Sequence, residues 1–449
     1  MTDRGRVPAE EVLASIDRER LAEICMGLVD ISSPTGDEAR CSEWIAEQLR
    51  AVGASGDVQP IDARQANAWG RVTGSGEGPT LMLYSPIDTL TTGNAEEDVP
   101  WVADSLAPHM KPIARREGDI ITGLGAMNPK GHAACVITAF ETIARSGVEL
   151  RGDLIAAFGA GGMPTNARSR PGEPLDRRNT GQGVGCSFLV EQGVWADAAV
   201  IAKTGWSISW EEVGLAWCDI TVRGTHTYVG ARHRIPYRNP IADAATVISH
   251  LEDWFPTYSE RHTTGLVSPQ GVVSAVDAGW WRMAAVVPSQ ARIRVDLRIG
   301  PDQTPLDACR ELRIAIDELV ATDPGLDVSV ELSVGIAGSR TDPDHWICRR
   351  AIGAWELVAG GPHVAAFETS GATDANILRS RGIPTVRVGL PKVFNSGVEL
   401  DFAAGMNTVD LGGMELLTRH LVCLALDVCG QSRADVVGSG PEPDSEVAP

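Results

Sequence analysis

From residue 69 onward, short apolar runs that end in polar turns alternate with longer segments whose apolar residues recur at helical spacing. That alternation constrains the fold more than any other feature of the chain. The runs LMLYS at 81–85, DIITGLGA at 119–126 and DLIAAFGAG at 153–161 bracket the helical segment HAACVITAFETIARSG. Strands joined through helices pair in parallel, because a parallel neighbour needs a crossover long enough to hold a helix. A mostly parallel sheet follows, with ligand chemistry expected where loops leave the carboxyl ends of the strands.

Ahead of this pattern, residues 9–54 carry two helical runs, EEVLASIDRERLAEICMGLVDI and EARCSEWIAEQLRAVG, separated by the turn residues of SSPTGD. After it, residues 163–183 lack periodicity and are rich in Pro, Gly, Arg and Asn, which predicts a long surface loop. A second unit spans residues 213–330, with strands GLAWCDITVRG, GVVSAVDAG and ARIRVDLRIG and helices IADAATVISHLEDWF and TPLDACRELRIAIDELVAT. The first pattern then returns, with a helix over 344–359 and a final helix LGGMELLTRHLVCLALDVCG. The expected organisation is one α/β domain made of residues 1–212 and 331–430, an inserted α+β domain at 213–330, and a disordered polar tail at 431–449.

Charge narrows the partners. The 39 Lys and Arg residues against 59 Asp and Glu give a formal charge of −20, which repels phosphate backbones and anionic lipid surfaces. Neither nucleic acid nor a membrane is an expected partner. No stretch has the apolar length of a bilayer span, and MTDRGRVPAEEVLASIDRER lacks the apolar centre of a signal peptide, so a cytoplasmic location is expected. The nine cysteines form no C-x-x-C pair and predict small buried apolar residues rather than a disulfide framework or a zinc knuckle.

Five segments in order carry a resemblance to a known family: GLGAMNPKG at 123–131, VGCSFLVEQGVWADAAVIAK, VRGTHTYVG followed by Asn239, VVPSQARIRVDLRIGP, and SGATDA followed by GIPTVRVG. Together they resemble the M20 family of dinuclear-zinc peptidases and amidohydrolases, over nearly the whole chain. The resemblance implies a larger, mostly parallel-sheet α/β domain of zinc-exopeptidase type. It also implies an inserted lid domain that forms a homodimer, and a reaction in which two zinc ions activate a water while a Glu takes its proton.

The matched ligand positions carry other side chains. Pro86 stands for the first His, Asn128 for the bridging Asp, Gly161 and Gly162 for the paired Glu residues, Lys203 for an acidic ligand and Met406 for the last His. The expectation is therefore a chain without the family's zinc ions or any other cofactor.

What remains predicts the site. Asp88 matches the ligand-orienting carboxylate and is read either as a catalytic group or as an acceptor for nearby backbone. Lys130 and Lys203 are read as cleft lysines, acids, bases or oxyanion partners, against the plainer reading of surface charge or a salt bridge. Asn128 can meet a substrate carbonyl. In the lid, His226 and Tyr228 fall near a family His that polarises the substrate. Asn239 and Arg298 match substrate-binding positions, although Arg298 can equally pair with Asp296 or Asp302. Gly371 and Thr373 in SGATDA can contact an anion ahead of a helix that Asp374 is expected to cap. Trp206, Trp210, Trp217 and Trp280–Trp281 are candidates for a ring-binding pocket or a domain junction.

Three functions follow. The first is a metal-independent hydrolase of a small amide, imide or N-acyl compound, its substrate bearing a carboxylate or a ring. The second is a non-catalytic binding or regulatory relative, favoured by the missing carboxylates at Gly161 and Gly162. The third is an ordinary zinc-dependent member.

Overall fold

Every residue of Leu81–Pro86 is buried, as a strand covered on both faces must be. In the computed structural model, which describes residues 8–99, 101–165, 181–391 and 402–437, its side chains alternate between two cores. Leu81 and Leu83 face a cluster built with helices Arg18–Asp30, Ala39–Ala51, Lys130–Ser146, Trp346–Ala359 and Leu411–Cys429. Met82 and Tyr84 face a second cluster with Val184–Glu191 and Ala375–Ser380. Each fully buried large apolar side chain contributes ~1.5–3 kcal/mol, so both faces hold the strand in register.

Leu81–Pro86 pairs in parallel with Leu154–Gly159 on one side and Ala198–Ala202 on the other, and Thr385–Val388 continues the parallel edge. Ala66–Val72 and Asp57–Pro60 extend the opposite edge antiparallel, completing six strands. The expected mostly parallel α/β domain is the observed one.

Contacts divide the chain into a larger unit of Met1–Trp210, Thr341–Ala365 and Thr373–Pro449, and a smaller unit of Glu211–Arg340 and Ala366–Ala372. The smaller unit is a four-stranded antiparallel sheet in the spatial order Gly271–Ala278, Gln290–Ile299, Gly214–Arg223, Asp327–Ile336. Ala216, Cys218, Ile220 and Val222 alternate onto the face covered by helices Pro240–His262 and Pro305–Thr322. Thr304 and Asp307 form a capping box that starts the second of these helices.

Some local readings change. The run 119–126 gives only the short strand Ile120–Thr122 in a separate three-stranded sheet, because Gly123 and Gly125 take φ of 148° and 75° and turn the chain away. The first predicted helix breaks into Ala9–Ala14 and Arg18–Asp30, since the Asp17 side chain accepts a hydrogen bond from Arg20 N and starts a new helix. The expected disordered tail is corrected at its start: Arg433–Val437 is helical, with Val436 buried and Arg433 paired to Asp197 at 2.6 Å. The rest of that tail, and residues 166–180 of the predicted surface loop, lie outside the described residues.

All nine cysteines are buried and free, as their scattering predicts. Among the described residues no helix is long and apolar enough to cross a membrane.

Candidate functional site

Parallel strands deliver their carboxyl ends to one edge of the larger unit, and the motif residues gather there. Asp88 lies two residues past Leu81–Pro86 and is fully buried. Its Oδ1 accepts a hydrogen bond from Gly162 N (2.8 Å), and its Oδ2 accepts from Met163 N (2.9 Å) and from Thr35 Oγ1 (2.6 Å). Glu38, which the sequence reading passed over, braces the same turn from beneath: its Oε1 accepts from Gly161 N (3.0 Å) and Gly36 N (2.9 Å). Burial, and then the Asp88 carboxylate beside it, raise the Glu38 pKa to about 8. The two carboxyls thus use backbone donors to fix residues 161–163, and Asp88 acts as a positioning group.

That turn is made for glycine. Gly161 has a φ of 63°, and a Cβ on Gly162 would come within 2.3 Å of the Pro86 Cβ. Pro86 and the two glycines are one packing solution, in which no side chain can project from the end of Leu154–Gly159. Nearby, the buried Tyr84 hydroxyl donates to Asp374 Oδ2 at 2.6 Å. Burial and that carboxylate hold the Tyr84 phenol above its usual pKa. Asp374 makes no side-chain cap to helix Ala375–Ser380. Thr373 Oγ1 instead accepts from Ala375 N at 3.2 Å, so the expected cap moves by one residue.

Lys203, at the end of Ala198–Ala202, is buried, with its Nζ 4.0 Å from Met163 Sδ. It therefore flanks the same Met163 that Asp88 anchors. Burial, and then the Lys203 charge, depress the His132 pKa to about 3, leaving a neutral ring whose Nε2 accepts from Leu390 N at 3.1 Å. Lys130, read from the sequence as a cleft lysine, is fully buried and bonded to backbone. Its ammonium donates to the Ile31 carbonyl at 2.5 Å, at the C-terminal end of Arg18–Asp30, where a helix favours a cation. Burial lowers its pKa to about 8, with Cys41, Cys25 and Asp30 as its charge neighbours.

Asn128 occupies the other side of the edge. Its backbone N–H donates to the Met406 carbonyl (3.1 Å) and its Nδ2 to Met406 Sδ (3.3 Å). Asn407, also missed in the sequence, accepts from Gly125 N through Oδ1 at 2.7 Å and staples the glycine-rich motif to the same segment. Between them opens a pocket of about 260 Å³, with Asn128, Trp101 and Phe402 in its walls. The predicted ring-binding tryptophans are not in it. Trp206 packs on Trp355, ring centroids 5.6 Å apart, while Trp101 supplies the aromatic face.

In the smaller unit, Asn239 caps helix Pro240–His262 by accepting from Ile241 N (3.1 Å), and Arg298 pairs with Asp296 (2.9 Å), the plainer of its two readings. His226 Nδ1 lies 2.8 Å from the Val287 carbonyl, and Tyr228 is exposed. Gly371 belongs to a segment whose Thr369 pairs with Val267.

No family model matches the chain. It is 25% identical over 304 residues to a succinyl-diaminopimelate desuccinylase of Leptothrix cholodnii, covering 65% of this chain and 71% of that protein. It is 24% identical over 322 residues to N-formyl-4-amino-5-aminomethyl-2-methylpyrimidine deformylase of Bacillus subtilis, covering 68% and 69%. Its fold matches an M20 family metallo-carboxypeptidase from Sulfolobus solfataricus with a TM-score of 0.65 at 14% identity, over 90% of this chain and 98% of that one. It also matches a dinuclear metal-binding M20 peptidase of Bacillus subtilis with a TM-score of 0.61 at 16% identity, over 92% and 98%.

These neighbours correct the expectation that no cofactor is used, since they are themselves metal-dependent peptidases. Substitutions at matched positions speak for those side chains and not for the whole chain's metal chemistry. Whether the described residues suit two metal ions is a separate question, and they do not. No three His, Cys, Asp or Glu side chains are grouped to hold a metal among them, and Asp88 already accepts three hydrogen bonds. Glu173, Asp176, Glu399 and Asp401 lie outside the described residues. The resemblance read from the motifs stands: along most of its length this chain is a relative of the M20 peptidases and amidohydrolases.

Proposed function

We propose that this chain hydrolyses a small N-acyl compound at an amide other than a protein peptide bond. The observation that carries this reading is the pocket beside Asn128 at the carboxyl edge of the sheet, in a chain whose relatives include a desuccinylase and a deformylase. Hydrolysis needs a carbonyl held near positive charge while water adds and the amine leaves with a proton. Lys203 is the buried cation at this edge and is assigned to the developing oxyanion. Asp88 and Glu38 position the 161–163 turn under Lys203, and Asn128 meets the substrate from the opposite side. Free buried cysteines support a reducing, cytoplasmic setting. The exposed Val272 and Val276 of strand Gly271–Ala278 support a homodimer formed through the smaller unit.

The test is amine release from N-formyl, N-succinyl and N-aroyl amines, measured in parallel with added zinc and with a chelator. Turnover of at least one amide is expected, with Lys203→Met lowering kcat by about 100-fold or more in a protein that still folds. Binding without amine release under both conditions overturns it. That outcome would favour a non-catalytic binding protein, a reading supported by the absence of any side chain at Gly161 and Gly162.

A further inference from the structure

Among the described residues, none that lines the pocket beside Asn128 is charged. Trp101, Leu106, Met110, Leu124, Phe402 and Met406 supply its apolar walls, around about 260 Å³. An apolar cavity of about 150 Å³ already accepts benzene, so this one has room for a substituted ring or a fused bicycle. A carboxylate or ammonium would lose its hydration there without a counter-charge.

Several polar atoms around the pocket have partners, and one buried oxygen has none among the described residues. Asn407 Oδ1 accepts from Gly125 N at 2.7 Å, and Thr89 Oγ1 donates to the Thr91 carbonyl at 2.8 Å. Asn128 Nδ2 donates to Met406 Sδ at 3.3 Å, and since a thioether has no proton to give, the amide nitrogen rather than the oxygen faces it. Asn128 Oδ1 is left buried without a hydrogen-bond partner among the described residues, on a side chain only 7% exposed. A buried carbonyl in that state is destabilising until a donor reaches it.

We propose that this pocket binds an uncharged ring carrying one N–H or O–H donor, which meets Asn128 Oδ1, and thereby selects amides whose acyl or amine part bears such a ring. The selection rests on the amide-hydrolase reading above, whereas the binding does not. It also narrows the substrate expected from the sequence, by placing a ring in this pocket and a carboxylate elsewhere.

The experiment titrates the full chain with indole, 1-methylindole and indole-3-carboxylate by ligand-observed NMR. Indole binds; 1-methylindole, which lacks the donor, binds about tenfold more weakly; the carboxylate does not bind. Asn128→Leu brings indole and 1-methylindole to within about twofold of each other. Ala403→Trp, which fills the pocket from a partly exposed position, abolishes binding of both while the thermal melt is retained. Failure of indole to bind, an indole preference that survives Asn128→Leu, or undiminished binding in Ala403→Trp overturns the inference. Amine release without indole binding defeats the pocket and leaves the hydrolase reading. Indole binding without amine release from any amide defeats the hydrolase reading and leaves the pocket.

Discussion

Asp88 and Thr89 are consecutive, yet they belong to regions built in opposite ways. Around Asp88, three donors converge on one carboxylate, Glu38 adds two more bonds, and a Cβ on Gly162 would strike Pro86. Around Thr89, a space of about 260 Å³ remains open and a buried amide oxygen is unpartnered. Both oxygens of the Asp88 carboxylate are bonded, which describes a structural anchor, although Glu38 Oε2 beside it is buried without a partner among the described residues; free volume beside an unsatisfied acceptor describes a place for a ligand. At the end of Leu81–Pro86 this chain commits Asp88 to holding a turn.

The largest effect that would break this contrast comes from Asp88→Ala. It leaves the Gly162 and Met163 amides unpaired in a buried place and the Thr35 hydroxyl with only its long bond to the Thr89 carbonyl (3.4 Å), and a loss of about 3 kcal/mol or more is expected in denaturant unfolding. A melt like that of the parent would mean that the region is not an anchor. Gly162→Ala comes next, at about 1–3 kcal/mol from overpacking against Pro86. The double variant with Pro86→Ala should recover part of that loss, and a double-mutant cycle measures the coupling.

Glu38→Gln acts through pH. The folded carboxyl keeps its proton up to about 8, whereas the unfolded one ionises near 4.5. Its contribution to stability is fully present below the lower value and is lost as pH rises through the higher one. The variant, which cannot ionise, should match the parent at acidic pH and exceed it in the mildly alkaline range, flattening the pH profile of the melting temperature. A parallel profile for both proteins would remove Glu38 from the buried pair. The smallest effect is that of Asn128→Leu, which should leave stability within about 1 kcal/mol, because it removes an unpaired oxygen along with a weak bond to sulfur. A collapse there would make the pocket side an anchor as well.

Much of the fold was legible because its signals are local. The helical spacing in 130–146 and the uninterrupted apolar run at 81–84 reflect burial that each segment needs wherever it packs. Gly123, Gly125 and Gly161 take positive φ, a backbone conformation that glycine adopts easily. Roles within the site were less legible. Lys130 looked like a cleft residue because it belongs to the motif, but the direction of its helix sends the ammonium to Ile31. Glu38 was passed over in the sequence, where nothing local distinguishes it, and it is a buried carboxyl beside Asp88. Arg298 was read two ways and pairs with Asp296, whereas Asn239, matched to a substrate-binding position, accepts from Ile241 N as a helix cap.

By itself the sequence determined the alternating, mostly parallel α/β architecture, since periodicity acts within a few residues. Only the tertiary structure decided which polar groups are already satisfied. Asn128 meets Met406 across 278 positions of chain, and Tyr84 meets Asp374 across 290. No local pattern encodes such pairings, and they alone separate a carboxylate that holds a turn from an amide oxygen that still lacks a partner.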